Sequence, residues 1–220
     1  MYEPTTALGY FRMLVSDADS IPLLEAAASL ALDAYPTLDL QASLAEFDRL
    51  AGQLAADCRA VSTETARLQQ ALHFFYVTQG FAGNVRAYHD PDNSYLHRVL
   101  ETRRGIPITL AVLFAELARH IGLEVDGIGF PGHFLLRVNL HEGVVVIDPF
   151  TGESLDGAEL ARRAAPHGVE AQALLQPAAP QQILIRMLNN LHAAHARAGR
   201  EDLLEKVRER LRIVQAAAPG

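Results

Sequence analysis

The chain has a single cysteine, Cys58, in 220 residues. One thiol excludes an intrachain disulfide framework and a thiolate-rich metal site. Basic residues are also short, 19 against 26 acidic, for a formal net charge of −7. That is the reverse of the basic footprint a non-specific nucleic-acid binder needs. Lysine is almost missing: Lys206 is the one lysine and every other basic residue is arginine, a bias of composition rather than of mechanism. No apolar run reaches ~18 residues without a charge, so no membrane-spanning helix is expected. The opening Met1-Tyr2-Glu3-Pro4 has no basic stretch leading into an apolar run, so no secretory signal is read and a cytoplasmic protein is expected. There is no phosphate-cradling glycine loop; Gly127, Gly129 and Gly132 surround a strand end and a turn. What is present is apolar mass. Half of the residues are hydrophobic, enough for a sizeable core, and at ~150 residues per domain the length suggests one domain or a domain with an appendage.

The first ~85 residues read as a helical layer. Ser20 is placed to cap a helix with Pro22 in its first turn and a stripe from Leu23 to Ala34. Asp39 opens a second helix with Leu40, Leu44, Phe47, Leu50, Ala51 and Leu54 inward, a stripe that Cys58 continues. A third runs from Thr63 to Gln79 and stops at Gly80. Residues 88–95 form a polar loop, followed by a short helix over 94–101. A helix from Pro107 to Ile121 is polar only at Thr109, Glu116, Arg119 and His120; a helix apolar on most faces is buried on most faces. Three strands follow, over 124–130, 133–140 and 144–148, with a turn at Pro131-Gly132 and a hairpin at 141–143. A helix near 156–165, a strand at 169–175, a Pro-Ala-Ala-Pro linker and a helical hairpin (181–198 and 201–216) complete the chain. The pattern is α+β, mostly helical, with a buried helix against an antiparallel sheet. It divides into an N-terminal helical layer (1–85), a core (86–176) and a C-terminal hairpin (181–216) docked on that core.

Three positions carry the candidate chemistry: position 107 at the start of the buried helix, His133 at the start of one strand, and Asp148 at the end of its partner. A nucleophile at a helix N-terminus, then a histidine, then a carboxylate is the layout of cysteine–histidine–aspartate catalysis. The helix end depresses a thiol pKa, the histidine is the base and the carboxylate holds its ring.

Asn93-Ser-Tyr-Leu-His-Arg-Val-Leu, Arg104-Gly-Ile-Pro-Ile-Thr-Leu, Gly129-Phe-Pro-Gly-His-Phe-Leu and Ile147-Asp-Pro-Phe together resemble a bacterial transglutaminase-like family of the SirB type. The resemblance extends to the N-terminal helices and to Arg186-Met-Leu-Asn-Asn-Leu. It implies a papain-like transglutaminase core followed by tetratricopeptide-like helices. It puts the catalytic histidine on His133 and the aspartate on Asp148. The cysteine position falls on Pro107, which has no nucleophile but starts a helix well.

Other residues do not replace the thiol readily. Thr109 lies ~200° around the helix from position 107, and capping or backbone hydrogen bonding is its plainer role. Cys58 reads as a core thiol. Hairpin registers decide Asp148's neighbour: opposite Arg137 with a turn at 142–143, opposite Leu135 and diagonal to His133 with a turn at 141–142, or opposite His133 with a four-residue loop. We expect a His133–Asp148 contact. His89, Asp90, Asp92 and Asn93 sit in a polar loop whose spacing fits no metal loop, and a capping and turn role is expected for Asp92, Asn93 or Ser94; His192 and His195 lack the neighbouring carboxylate of a zinc helix and read as solvated or packing residues. Two readings result. In the first, the chain is a transglutaminase-like protein without its cysteine, needing no cofactor. It would bind a protein segment or small ligand, neither nucleic acid nor membrane, in a cleft between the Pro107 helix and the His133/Asp148 strands. In the alternative it is a hydrolase or acyl-transfer enzyme with His133 as general base and Asp148 as orienter.

Overall fold

Short side-chain oxygens begin several of the helices. Thr6 accepts from the Gly9 amide, Asp39 from Ala42, Thr63 from Ala66 and Asp156 from Glu159, at 2.8–3.2 Å, each filling a vacancy that a helix start leaves. The structure, a computed structural model, describes residues 6–130, 132–168 and 170–217, the side chains of Ala171 and Gln172 excepted. In chain order its helices are α1 (Ala7–Leu14), α2 (Leu23–Ser29), α3 (Leu40–Asp57), α4 (Glu64–Leu72), α5 (Leu96–Thr102), α6 (Pro107–His120), α7 (Gly157–Ala164), α8 (Pro180–Arg197) and α9 (Glu201–Ala216). Its strands are β1 (Ala82–Gly83), β2 (Arg104–Gly105), β3 (Glu124–Ile128), β4 (Leu135–Leu140), β5 (Gly143–Asp148) and β6 (Glu153–Leu155). This is the expected α+β arrangement.

The departures from expectation are local. Ser20 caps nothing in α2; its hydroxyl binds the Asp17 carboxylate at 2.8 Å, and the helix starts beyond Pro22. The third N-terminal helix ends in a π-helical segment, His73–Thr78, before Gly80 turns left-handed at φ 69°. The strand expected over 169–175 does not form. Residues Ala171–Leu174 make a 3-10 turn, as Ala, Gln and Leu favour helical over extended backbone, while Val169 lies outside the described residues. Pro177 instead makes a single bridge to Ile128. Of the Pro131-Gly132 turn, Pro131 lies outside the described residues, and Gly132 has a φ of 71°.

The sheet runs β3-β4-β5-β6, antiparallel throughout; β1 and β2 form a separate parallel pair. Leu140 faces Gly143 and Leu136 faces Ile147, so the hairpin turn is His141-Glu142. This register fixes which face each side chain takes. Leu136, Val138 and Ile147 join the main core with α6, whereas Leu135 and Val146 lie on the other face, with Leu160 and Ala164 of α7. α6 is central: Ile108 through Ala115, Leu117 and Ala118 are all buried, and each large side chain there contributes roughly 1.5–3 kcal/mol of burial.

The main core draws on the N-terminal helices (Phe11, Leu50), on α6 and the sheet, and on the C-terminal hairpin (Met187, Leu188, Val207). The hairpin is also pinned by polar contacts. Arg210, 1% exposed, pairs with Asp33 at 2.6 Å and lies over the Phe11 ring. The Tyr95 hydroxyl meets His195 Nε2 at 2.8 Å. Among the described residues no helix is long and apolar enough to cross a membrane.

Candidate functional site

Pro107 is the first residue of α6, after Ile106; no side chain caps this helix start, and no acid lies in the first turn. Proline suits the position, because its missing N–H is one that a helix start leaves unpaired. The end of α6 where the resemblance calls for a thiol therefore carries none. Thr109 is fully buried and its hydroxyl has no hydrogen-bond partner. It makes neither the expected cap nor the expected backbone contact, and it offers no accessible nucleophile. Cys58 ends α3 and packs in the main core. Burial first, and then the Asp57 charge, push its thiol pKa up, which suppresses the thiolate.

His133 sits just before β4 with its side chain exposed. Its backbone is what the fold uses: its amide donates to Phe130 O at 3.0 Å and its carbonyl accepts from Arg186 of α8 at 2.5 Å. Asp148, 7% exposed, closes β5. One of its carboxylate oxygens accepts from Arg163 of α7 at 2.9 Å, and the other from the Phe150 amide at 3.0 Å. Arg163 also binds Glu159 at 2.7 Å.

Among the described residues no hydrogen bond or ion pair joins His133 to Asp148, the contact expected of them. The hairpin register is the one expected to set Asp148 diagonal to His133, but β4 begins only at Leu135. Asp148 shares the face of Val146, the α7 face, so its side chain reaches Arg163. His133 lies outside the strand and is free of the pairing that would have set it diagonal to Asp148. Arg137, the other partner considered for Asp148, binds Asp126 at 3.1 Å. Tyr76, read in the sequence only as an inward residue of the third N-terminal helix with Leu68, Leu72 and Phe75, donates to Pro149 O at 3.0 Å. Its phenol pKa is raised by burial and then by the Asp148 charge. Its place in a helical apolar stripe gave no sign of that role.

The cavity at this end of α6 is not built from the His133 and Asp148 strands, as expected. It lies between the loop carrying Tyr88, Asp90 and Ser94, the α6 start at Ile106, and α8, which contributes Asn190 and Arg197. Its volume is about 200 Å³. The loop is shaped by its neighbours. Asp90 caps the Pro91–Ser94 turn through the Asp92 amide. Asp92 takes the Tyr35 hydroxyl and Arg98, and Asn93 binds Asn84 and the carbonyls of Ala87 and Tyr88. Asp90, Asp92 and Asn93 thus hold the loop. Ser94 closes that turn, and its hydroxyl caps nothing among the described residues. Asn190 lies within the Arg186–Leu191 segment already quoted for its resemblance, but its position in the cavity depends on how α8 docks. Among the described residues no three His, Cys, Asp or Glu side chains are placed to hold a metal ion.

Residues 41–189 match the model of the transglutaminase-like superfamily. A UPF0162 protein of Xylella fastidiosa (strain Temecula1 / ATCC 700964) is 37% identical over 203 residues, 89% of this chain and 72% of that protein. A UPF0162 protein of Pseudomonas aeruginosa is 34% identical over 204 residues, 90% of this chain and 73% of that one. F-box only protein 21 of Homo sapiens is 32% identical over 148 residues, 63% of this chain but 23% of that protein. These three carry the UPF0162 and F-box names, none the SirB name. No solved structure matches the chain. With the family model covering over half its length and the Xylella and Pseudomonas proteins matched along most of theirs, the chain belongs to the transglutaminase-like superfamily, alongside the UPF0162 proteins.

Proposed function

We propose that this chain is a non-catalytic transglutaminase-like domain of the cytoplasm that acts by binding a protein segment or small ligand at the Pro107 end of α6. One observation carries the reading: each part of the expected triad is missing or already engaged. Proline stands at the nucleophile position, His133 has no carboxylate behind it, and both oxygens of Asp148 are taken by Arg163 and the Phe150 amide. A base needs an orienting partner on its second nitrogen to act as in a triad. The hydrolase or acyl-transfer alternative, with Asp148 orienting His133, lacks that hydrogen bond.

The test is amine incorporation into a glutamine-rich protein, and peptide hydrolysis, by wild type, Cys58→Ser and His133→Ala. The expected result is no turnover above the no-protein control in all three. Wild-type turnover that either substitution abolishes contradicts the proposal.

A further inference from the structure

We propose that the cavity at the start of α6 is a carboxylate-binding site. This rests on the binding role proposed above and names the chemistry of its ligand. The argument begins with Ser94, which is 3% exposed and lines the cavity. Its hydroxyl makes no hydrogen bond to any described residue and is not among the fully enclosed unpartnered atoms, so it opens to the cavity that Ser94 lines. Among the described residues the Asn190 amide, on the α8 wall, has no hydrogen-bond partner, and Arg197, two turns further along α8, has no carboxylate partner. The third wall is the start of a 14-residue helix with no side-chain cap and no acidic residue in its first turn. Such an end carries a partial positive charge and suits an anion.

The set can donate throughout: a hydroxyl, an amide, a guanidinium and a helix start, with Tyr88 and His89 on the loop side. A carboxylate, with about four acceptor sites and no donor, is the complement of that set. The opposing charge is Asp90, on the exposed rim, where its carboxylate already caps the Pro91–Ser94 turn. Ile106, Ala193 and Ala194 supply an apolar wall for a short stem. At about 200 Å³ the cavity is smaller than the ~300–1,000 Å³ of pockets for drug-sized molecules. It fits a short aliphatic acid or the last residue of a polypeptide; both present the same group.

The experiment is titration of the isotope-labelled full chain, followed by amide NMR, with sodium propionate, propionamide, an acetylated alanine tripeptide with a free C-terminus, and its C-terminal amide. The expected result is saturable shifts at Ser94, Ile108 and Asn190 with an acid and not with its amide. Binding should weaken about tenfold in Ser94→Ala and about threefold in Arg197→Gln. It should tighten about twofold in Asp90→Asn, which keeps the turn cap and removes the charge. Tighter binding of propionate supports a free small acid as the ligand, and tighter binding of the tripeptide supports a chain terminus. The proposal is overturned by no saturable shift from either acid, by equal response to the amides, or by Ser94→Ala binding as wild type with its spectrum otherwise intact. Such a failure leaves the non-catalytic reading standing, whereas turnover in the amine-incorporation assay removes that reading whatever the carboxylates do.

Discussion

Asp148 and Ser94 are nearly equally buried, at 7% and 3%, and they fare in opposite ways. Asp148 is engaged: Arg163 and the Phe150 amide each bind one of its oxygens, and Arg163 is tied in turn to Glu159. Ser94 makes no hydrogen bond with the described residues while lining a cavity. The residue that looks catalytic in the sequence is bound up in holding α7 to the sheet. The one read there as a turn residue is left with unspent hydrogen-bonding capacity. Position in a catalytic layout therefore says less about function than whether a polar group already has partners, because an engaged carboxylate must give up a strong bond before it can orient anything.

That contrast can be broken by measurement. The largest effect is expected for Asp148→Ala. Removing one member of a largely buried, hydrogen-bonded ion pair strands the other, so urea unfolding should show a loss of about 2–4 kcal/mol. A loss below about 0.5 kcal/mol would mean that Asp148 is not structural. Next is the thiol. Cys58 is in the core with a raised pKa, so iodoacetamide should leave it unmodified in the folded protein at neutral pH and label it on unfolding; labelling of the native chain at the rate of a free thiol contradicts this. A third effect concerns pH. Burial and the hydrogen bond to Asp92 push the Tyr35 phenol from 10.0 up to about 12. The folded state therefore holds a proton that the unfolded chain releases, so this stabilisation is complete below pH 10 and is lost as pH rises towards 12. In Tyr35→Phe, alkaline titration of stability should show a shallower fall from pH 10 to 12 than in wild type, and an equal or steeper fall contradicts this. The smallest effect is expected at Ser94→Ala, within about 0.5 kcal/mol, since no protein hydrogen bond is lost; a cost above about 1 kcal/mol would reveal a partner for that hydroxyl.

Much of the fold was legible. The run of apolar residues after Pro107 marked α6, and Asp39, Thr63 and Asp156 marked helix starts, because capping and periodicity are local. The hairpin could be reduced to three registers, and the turn at His141-Glu142 is among them. The site was less legible for reasons of distance. Asp148's partner, Arg163, sits on the following helix and was visible only once the α7 face of the sheet was known. Ser94 and Asn190 are nearly a hundred positions apart and meet because α8 docks beside the α6 start, a tertiary choice with no local signature. The strand expected over 169–175 failed because the helical preference of Ala171-Gln172-Ala173-Leu174 outweighs an extended backbone there.

The most direct test of the partnership on which the non-catalytic reading depends is a pair of double-mutant cycles on Asp148, one with Arg163→Met and one with His133→Ala, read by urea unfolding. The expected coupling is about 1–3 kcal/mol with Arg163 and within about 0.3–0.5 kcal/mol of zero with His133. Strong coupling to His133, with little to Arg163, would contradict it and restore the histidine–aspartate pair.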